Sequence, residues 1–309
     1  MTRRGSPLAG HGRLIRGAAK LAGLALAVSA CTGVGVAPTS TPLRSATADP
    51  SRTAAPSPTA KPSLTAEPSP SQSPDVLSGD FEVAPGRQLH LECRGEGSPT
   101  GILESGDESG IEEWARVHPK LAAVTRICAY DRGGIGRSDP VTGCRQLHHF
   151  TTDLERLLET ASIPPPYVLV AGSGGGFIAS AFAQRHATDI AGIVFLDVPM
   201  AFLDAPPEVV AETACDRPGN LERRDFLQVE ADAWNNRAEI GDIPVTIISN
   251  DPGPDAPPEE QKNVEAQRGW LVLSPQAEQI VVDSGHDVAT NEPDLVVQEV
   301  TDVLEAARQ

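Results

Sequence analysis

The feature that most constrains this chain is residues 168–177, Val-Leu-Val-Ala-Gly-Ser-Gly-Gly-Gly-Phe, where a buried-strand run passes straight into glycines around one serine. A strand can turn this abruptly into a helix only if the residues two before and two after the serine are very small, and Ala171 and Gly175 meet that demand. Ser173 is then thrust from the sheet in a strained conformation, above a helix N-terminus that favours developing negative charge. A phosphate-cradling loop fits less well, because the G-x-G-x-x-G spacing is not met and no Lys follows as a P-loop requires.

The surrounding pattern supplies the sheet that such a turn needs. Beyond about Gly79, short apolar strands alternate with amphipathic helices, the signature of an α/β domain with a mainly parallel sheet and helices on both faces. Phe81–Val83 and Gln88–Cys93, separated by Pro85-Gly86, predict an opening hairpin. Further strands are predicted at 100–103, 126–130, 167–171, 193–196, 245–248 and 279–282. Helices are predicted at 109–121, with Ser109 and Glu112 as a capping box, and at 152–161, 175–185, 258–270 and 294–307. The alternation lapses from about Pro199 to Gly241.

The first 75 or so residues have a different character. Arg3, Arg4, Arg13, Arg16 and Lys20 precede the apolar run Leu21–Ala30, which is too short to span a bilayer and reads with its flanks as an export signal over 1–30. The run ends Val28-Ser29-Ala30-Cys31, which resembles the bacterial lipobox, so Cys31 is the expected lipidation site. Residues 31–78 are rich in Pro, Ser and Thr and carry too little apolar surface to offset chain entropy; they predict a disordered, partly polyproline tether. The expected location is the cell envelope, with the folded domain of 79–309 anchored by lipid at the outer face of the cytoplasmic membrane. The net charge of −17, from 42 acidic and 25 basic residues, argues against nucleic acid as a partner. With Cys31 assigned to lipid, Cys93, Cys128, Cys144 and Cys215 remain, an even number in an oxidising compartment, and two disulfides are expected. Four cysteines allow three pairings. No CxxC or His/Cys spacing suggests a metal site, and no cofactor is called for.

Tyr130-Asp131-Arg132-Gly133-Gly134-Ile135-Gly136-Arg137-Ser138, together with the serine turn, resembles the α/β-hydrolase superfamily, in its branch with a YDRxGxGxS segment. The resemblance covers about Gly79 to the C-terminus and implies a short cap at 199–241, after the sixth strand. It also implies structural roles for Asp131 and Arg132. The family's strand order sets the second strand beside the fourth, which favours Cys93 with Cys128 and leaves Cys144 to Cys215. Ser173 is the implied nucleophile and His286, after a glycine beyond the last strand, its base. The usual position of the acid falls at Gly253, with Asp251 and Asp255 nearby, so Asp197 at the end of the sixth strand is preferred and Asp251 is the alternative. The oxyanion amides are expected from Gly174 and Asp107. Asp107 stands where relatives carry other residues, and its carboxylate is expected either to turn outward and cap the next helix or to meet a cationic substrate. His148 and His149 read as helix-flanking surface residues. Phe202, Leu203, Phe226 and Trp234 either face the pocket or cement the cap, with packing the default.

The leading expectation is a secreted, membrane-tethered serine hydrolase that cleaves an ester or similar acyl bond in a small-molecule substrate through an acyl-enzyme. Serine rather than aspartate at the turn argues against the dehalogenase and epoxide-hydrolase branches. An aminopeptidase resembling the proline iminopeptidases, acting on a peptide substrate, is one alternative. A catalytically silent binding module is the other.

Overall fold

The computed structural model describes residues 76–309 except Phe202, Asp204 and Ala205. The export signal, Cys31 and nearly all of the tether expected from the sequence lie outside the described residues. The eight strands are β1 (Leu77–Ala84), β2 (Arg87–Arg94), β3 (Thr100–Glu104), β4 (Ile127–Tyr130), β5 (Tyr167–Gly172), β6 (Ile190–Leu196), β7 (Val245–Asn250) and β8 (Ala277–Val282). They form one sheet in the order β1-β2-β4-β3-β5-β6-β7-β8. The β1–β2 and β2–β4 pairs are antiparallel, and every pairing from β4 to β8 is parallel.

The helices are α1 (His118–Leu121), α2 (Leu147–Thr160), α3 (Gly175–Arg185), α4 (Pro207–Glu212), α5 (Phe226–Asn236), α6 (Pro258–Gln267), α7 (Val288–Asn291) and α8 (Pro293–Ala306). The central strands are buried and largely apolar because both faces of the sheet are covered. Along β5 the period-two alternation sends Val168 and Val170 to one side, where they pack with Trp114, Leu121, Val296, Val300 and Leu304. Leu169 and Ala171 go to the other side, among Leu154, Phe177, Phe182, Trp234 and Trp270. Trp270, in the 3₁₀ turn 268–273 after α6, packs edge-on against Phe177, Phe195 and Trp234 with ring centroids 5.6, 5.3 and 5.0 Å away.

Two expectations change. The helix predicted at 109–121 is a 3₁₀ turn, Ile111–Trp114, followed by the short α1. The Ser109/Glu112 capping box is absent: the Ser109 N–H donates to the Gly106 carbonyl at 3.3 Å, and the first N–H of the turn, from Ile111, is taken by the Asp131 carboxylate at 2.9 Å, a partner distant in sequence. Within the expected cap, α5 buries Phe226, Val229, Ala233 and Trp234 against α2 and α3, which makes it part of the helical layer. Leu203, also within the expected cap, is exposed, and Phe202 lies outside the described residues.

Cys93 and Cys128 are register partners across β2 and β4 and lie at disulfide-bonding distance with Cα atoms 4.0 Å apart. Cys144 and Cys215 form the second such pair, 5.3 Å apart at Cα. Among the described residues, no helix is long and apolar enough to cross a membrane. Replacing Cys93 and Cys128 together by Ser should lower unfolding free energy by about 3–4 kcal/mol, since the crosslink spans 35 residues of sequence. Urea unfolding of the oxidised protein and the double variant measures this; equal midpoints would show that the crosslink adds nothing to stability.

Candidate active site

Open parallel sheets place functional groups beyond the carboxyl ends of their strands, and this one does so at β3, β5, β6 and β8. Ser173 stands between β5 and α3 with φ 45°, in the left-handed region that a side chain occupies only when its surroundings hold it there. Its N–H donates to the Leu196 carbonyl at 2.9 Å, tying the turn to β6. Gly175 is obligatory: a Cβ there would lie 2.3 Å from the Ser105 carbonyl oxygen and 2.7 Å from that of Glu104. The helix N-terminus is thus pressed against the end of β3.

Asp197 terminates β6, is 7% exposed, and has φ 46°. Its Oδ1 accepts from Gln267 Nε2 at 2.8 Å and from the Asn250 N–H at 3.1 Å. Its Oδ2 lies 2.7 Å from His286 Nδ1. On the far side of the imidazole, Nε2 is 2.9 Å from Ser173 Oγ. With Nδ1–H donated to Asp197, Nε2 is left as the acceptor for the serine hydroxyl. The loop carrying His286 is held by the Asn250 side chain, whose Oδ1 accepts from the N–H groups of Ser284 and Gly285 at 3.2 and 2.7 Å.

The electrostatics follow from these contacts. Burial raises the Asp197 carboxyl, but the bonds from His286, Gln267 and Asn250 outweigh it and hold the group below its ordinary value. The hydrogen bond to Asp197 raises His286 above its ordinary value against the opposing effect of burial, and the charges of Asp197, Asp287 and Glu113 add to the rise. Burial also raises Glu113, opposed by the hydrogen bond its carboxylate accepts from the Gly106 N–H at 2.8 Å.

The structure therefore brings Ser173, His286 and Asp197 together. It does not bring Asp251 to the imidazole; that exposed carboxylate accepts from the Gly253 N–H at 2.9 Å and closes its own turn. Gly174 and Asp107 do meet beside the serine, for a Cβ on Gly174 would lie 2.1 Å from Asp107 Oδ1. The Asp107 carboxylate does not turn outward to cap the next helix; it forms an ion pair with the fully buried Arg224. Arg224 carries no local sequence signal, because it stands in the stretch where periodicity lapses and its partner is 117 residues away. Gln267, Asn250 and Glu113 escaped for the same reason, each being defined by a partner on another element. His149 is a helix-start residue, its Nδ1 3.0 Å from the Gln146 N–H.

Asp131 and Arg132 brace the site from below. Asp131 takes the N–H groups of Ile111 and Arg137 at 2.9 and 2.8 Å. Arg132 is buried between Glu104 and Glu222, at 2.7 Å from each, and donates to the Ser105 and Gly106 carbonyls at 2.5 Å. A cavity of about 270 Å³ opens over Gly106, Asp107, Glu113, Ser173 and His286. A second, of about 740 Å³, adjoins Asp197 and His286 and is lined by Pro199, Met200, Ala201 and Val264 among others. Among the described residues, no group of three or more His, Cys, Asp or Glu is arranged to hold a metal ion.

Strand order and the serine turn together define the α/β-hydrolase fold. A sequence model of the alpha/beta hydrolase fold matches residues 99–214, which include the Asp107 loop, the serine turn and Asp197. The chain is 28% identical over 232 residues to the uncharacterized protein YqjL of Bacillus subtilis strain 168, an alignment covering 72% of this chain and 91% of that protein. Epoxide hydrolase CorEH superposes with a TM-score of 0.58 at 17% identity, covering 75% of this chain and 99% of its own. A thermophilic esterase from Thermogutta terrifontis gives 0.58 at 19% identity, covering 76% and 100%. Such likenesses carry the fold alone, and the sequence model over residues 99–214 describes the same fold.

With Asp197 holding His286 above its ordinary value, replacing Asp197 by Asn should lower the point at which the imidazole titrates. Activity that needs neutral imidazole should rise with pH through a limb displaced upward from an ordinary histidine's, and the limb should move to lower pH in Asp197→Asn as kcat falls on the order of 10³–10⁴-fold. NMR titration of the imidazole measures the shift; an unchanged value in the variant would remove Asp197 as its cause.

Proposed function

We propose that this protein is a serine hydrolase that cleaves an ester or similar acyl bond through an acyl-enzyme. The observation that carries the reading is the continuous hydrogen-bonded chain from Ser173 through His286 to Asp197, with the serine on a strained turn. Esterases and epoxide hydrolases share this fold at equal similarity, so the fold does not choose between them. The residue at the turn supports the ester reading: a serine hydroxyl beside a neutral imidazole is suited to attack a carbonyl carbon.

In the proposed cycle Ser173 Oγ bonds to the carbonyl carbon as its proton passes to His286 Nε2. The carbonyl electron pair moves onto oxygen, which the N–H groups of Gly174 and Asp107 stabilise. Collapse breaks the bond to the alcohol, which leaves with the proton from Nε2. Water then repeats the sequence: its proton goes to Nε2, its oxygen bonds to the acyl carbon, and the acid is released as Ser173 regains a proton. Asp197 keeps the imidazole in the required tautomer and stabilises its charged form. The lining of the larger cavity beside His286 supports an apolar group on one side of the scissile bond. The lipobox-like segment at Cys31 and the tether after it support export and anchorage by lipid at the cell envelope.

A fluorophosphonate probe should label the protein at Ser173, and labelling should be lost in Ser173→Ala and His286→Ala. On a chromogenic ester the same variants should lose at least about 10⁴-fold in kcat. Turnover of aminoacyl anilides in preference to esters would move the assignment to peptide hydrolysis. A folded, oxidised protein that neither takes the probe nor turns over either substrate would overturn the reading.

A further inference from the structure

We propose that Arg224 is a positioning residue for the oxyanion site, a role that rests on the serine-hydrolase reading. Its guanidinium is fully buried and faces two residues at once: Nη1 pairs with the Asp107 carboxylate, and Nη2 donates to the Gly174 carbonyl at 3.0 Å. Asp107 and Gly174 are the two residues whose N–H groups would receive the oxyanion. One rigid planar fork therefore sets the spacing between the β3 loop and the start of α3.

The fork is itself held in position. Asn220 Oδ1 accepts from the Arg224 N–H at 3.1 Å, and Asn220 Nδ2 donates to the Arg224 carbonyl at 2.8 Å. The guanidinium carbon lies 5.2 Å from the Phe226 ring centre and 5.9 Å from that of Phe150. On either side of Arg224, the Arg145 N–H donates to the Arg223 carbonyl at 2.7 Å, and the Asp225 N–H to the Arg145 carbonyl at 3.0 Å. Two consequences follow for the reaction. The amides are pre-set, so no reorganisation accompanies charge development. The Asp107 carboxylate, which would otherwise oppose a nearby oxyanion, is compensated by a cation that solvent does not reach.

The test compares Arg224→Gln, Arg224→Lys, and Arg224→Gln combined with Asp107→Asn, using Ser173-dependent turnover of a chromogenic ester, with active sites counted by fluorophosphonate titration. Arg224→Gln should lower kcat per active site about 10²-fold while KM stays within about twofold. Adding Asp107→Asn should recover about tenfold, because the uncompensated charge is gone. Arg224→Lys, which restores charge but not the two-point grip, should fall between Gln and the wild type. A merely structural arginine would reduce the titrated fraction of active protein, leave kcat per site unchanged, and show no recovery with Asp107→Asn. Either of the last two results overturns the proposal. Should Arg224→Gln fail to fold, the lysine and double variants supply the same comparison. Wild-type turnover that survives Ser173→Ala would bring down the hydrolase reading and this inference with it; Ser173-dependent turnover that ignores Arg224→Gln would bring down the inference alone.

Discussion

The constraint on which the site depends is the approach of the α3 N-terminus to the end of β3, where Gly175 leaves no room for a Cβ against the Ser105 carbonyl. β3 and β5 are neighbours in the sheet, so a turn after β5 that is this tight must land on the chain leaving β3. Once it does, the serine, the Gly174 N–H and the Asp107 loop are mutually fixed. The serine's own N–H bond to Leu196 ties the same turn to β6. Three strand ends are registered by this glycine-dependent contact and one backbone hydrogen bond, and the remaining site residues are arranged around them.

Buried charge completes the arrangement at some cost. Glu104, Arg132 and Glu222 lie within the core, where taking ions from water is unfavourable unless each is paired. Arg132 meets both carboxylates and two carbonyls of the β3 loop, so its charge is spread over four acceptors. An apolar replacement would give comparable packing without desolvation, but not the directionality. Removing one partner would strand a buried charge at about 3–5 kcal/mol. The segment 220–224 contributes Glu222 to this network and Arg224 to the Asp107 carboxylate and the Gly174 carbonyl, so one short irregular stretch braces the loop from two directions.

What could be read from the chain follows from the range over which each signal acts. The serine turn is legible because its steric demand falls on residues two positions away, and the strands because period-two burial is local. His286 is legible as the histidine that follows a glycine beyond the last strand. The helix expected at 109–121 gives way to a turn whose first N–H, from Ile111, is held by the distant carboxylate of Asp131, a contact that no local pattern shows. Arg224 was invisible for a related reason: an arginine in aperiodic sequence looks like solvent-facing charge, and only the fold puts a carboxylate and a carbonyl at the two ends of its fork. The Asp107 carboxylate could not be read correctly without it.

The position of the acid shows how a site tolerates a shifted residue. Gly253 stands where the sequence resemblance places a carboxylate, and the carboxylate that meets the imidazole comes instead from the end of β6, which is adjacent and parallel to β7. Asp197 at the end of β6 reaches Nδ1 directly, its left-handed backbone conformation maintained by its N–H bond to the Ile248 carbonyl at 2.7 Å. The end of β7 takes a supporting role instead. Asn250 gives Asp197 a backbone N–H and uses its side chain to hold the loop that presents His286. Orientation of the imidazole depends on both contacts: one sets the hydrogen-bond direction at Nδ1, the other the position of the loop. An aspartate on β6 can serve this geometry because a side-chain amide on β7 does the positioning that a carboxylate there would otherwise have to share.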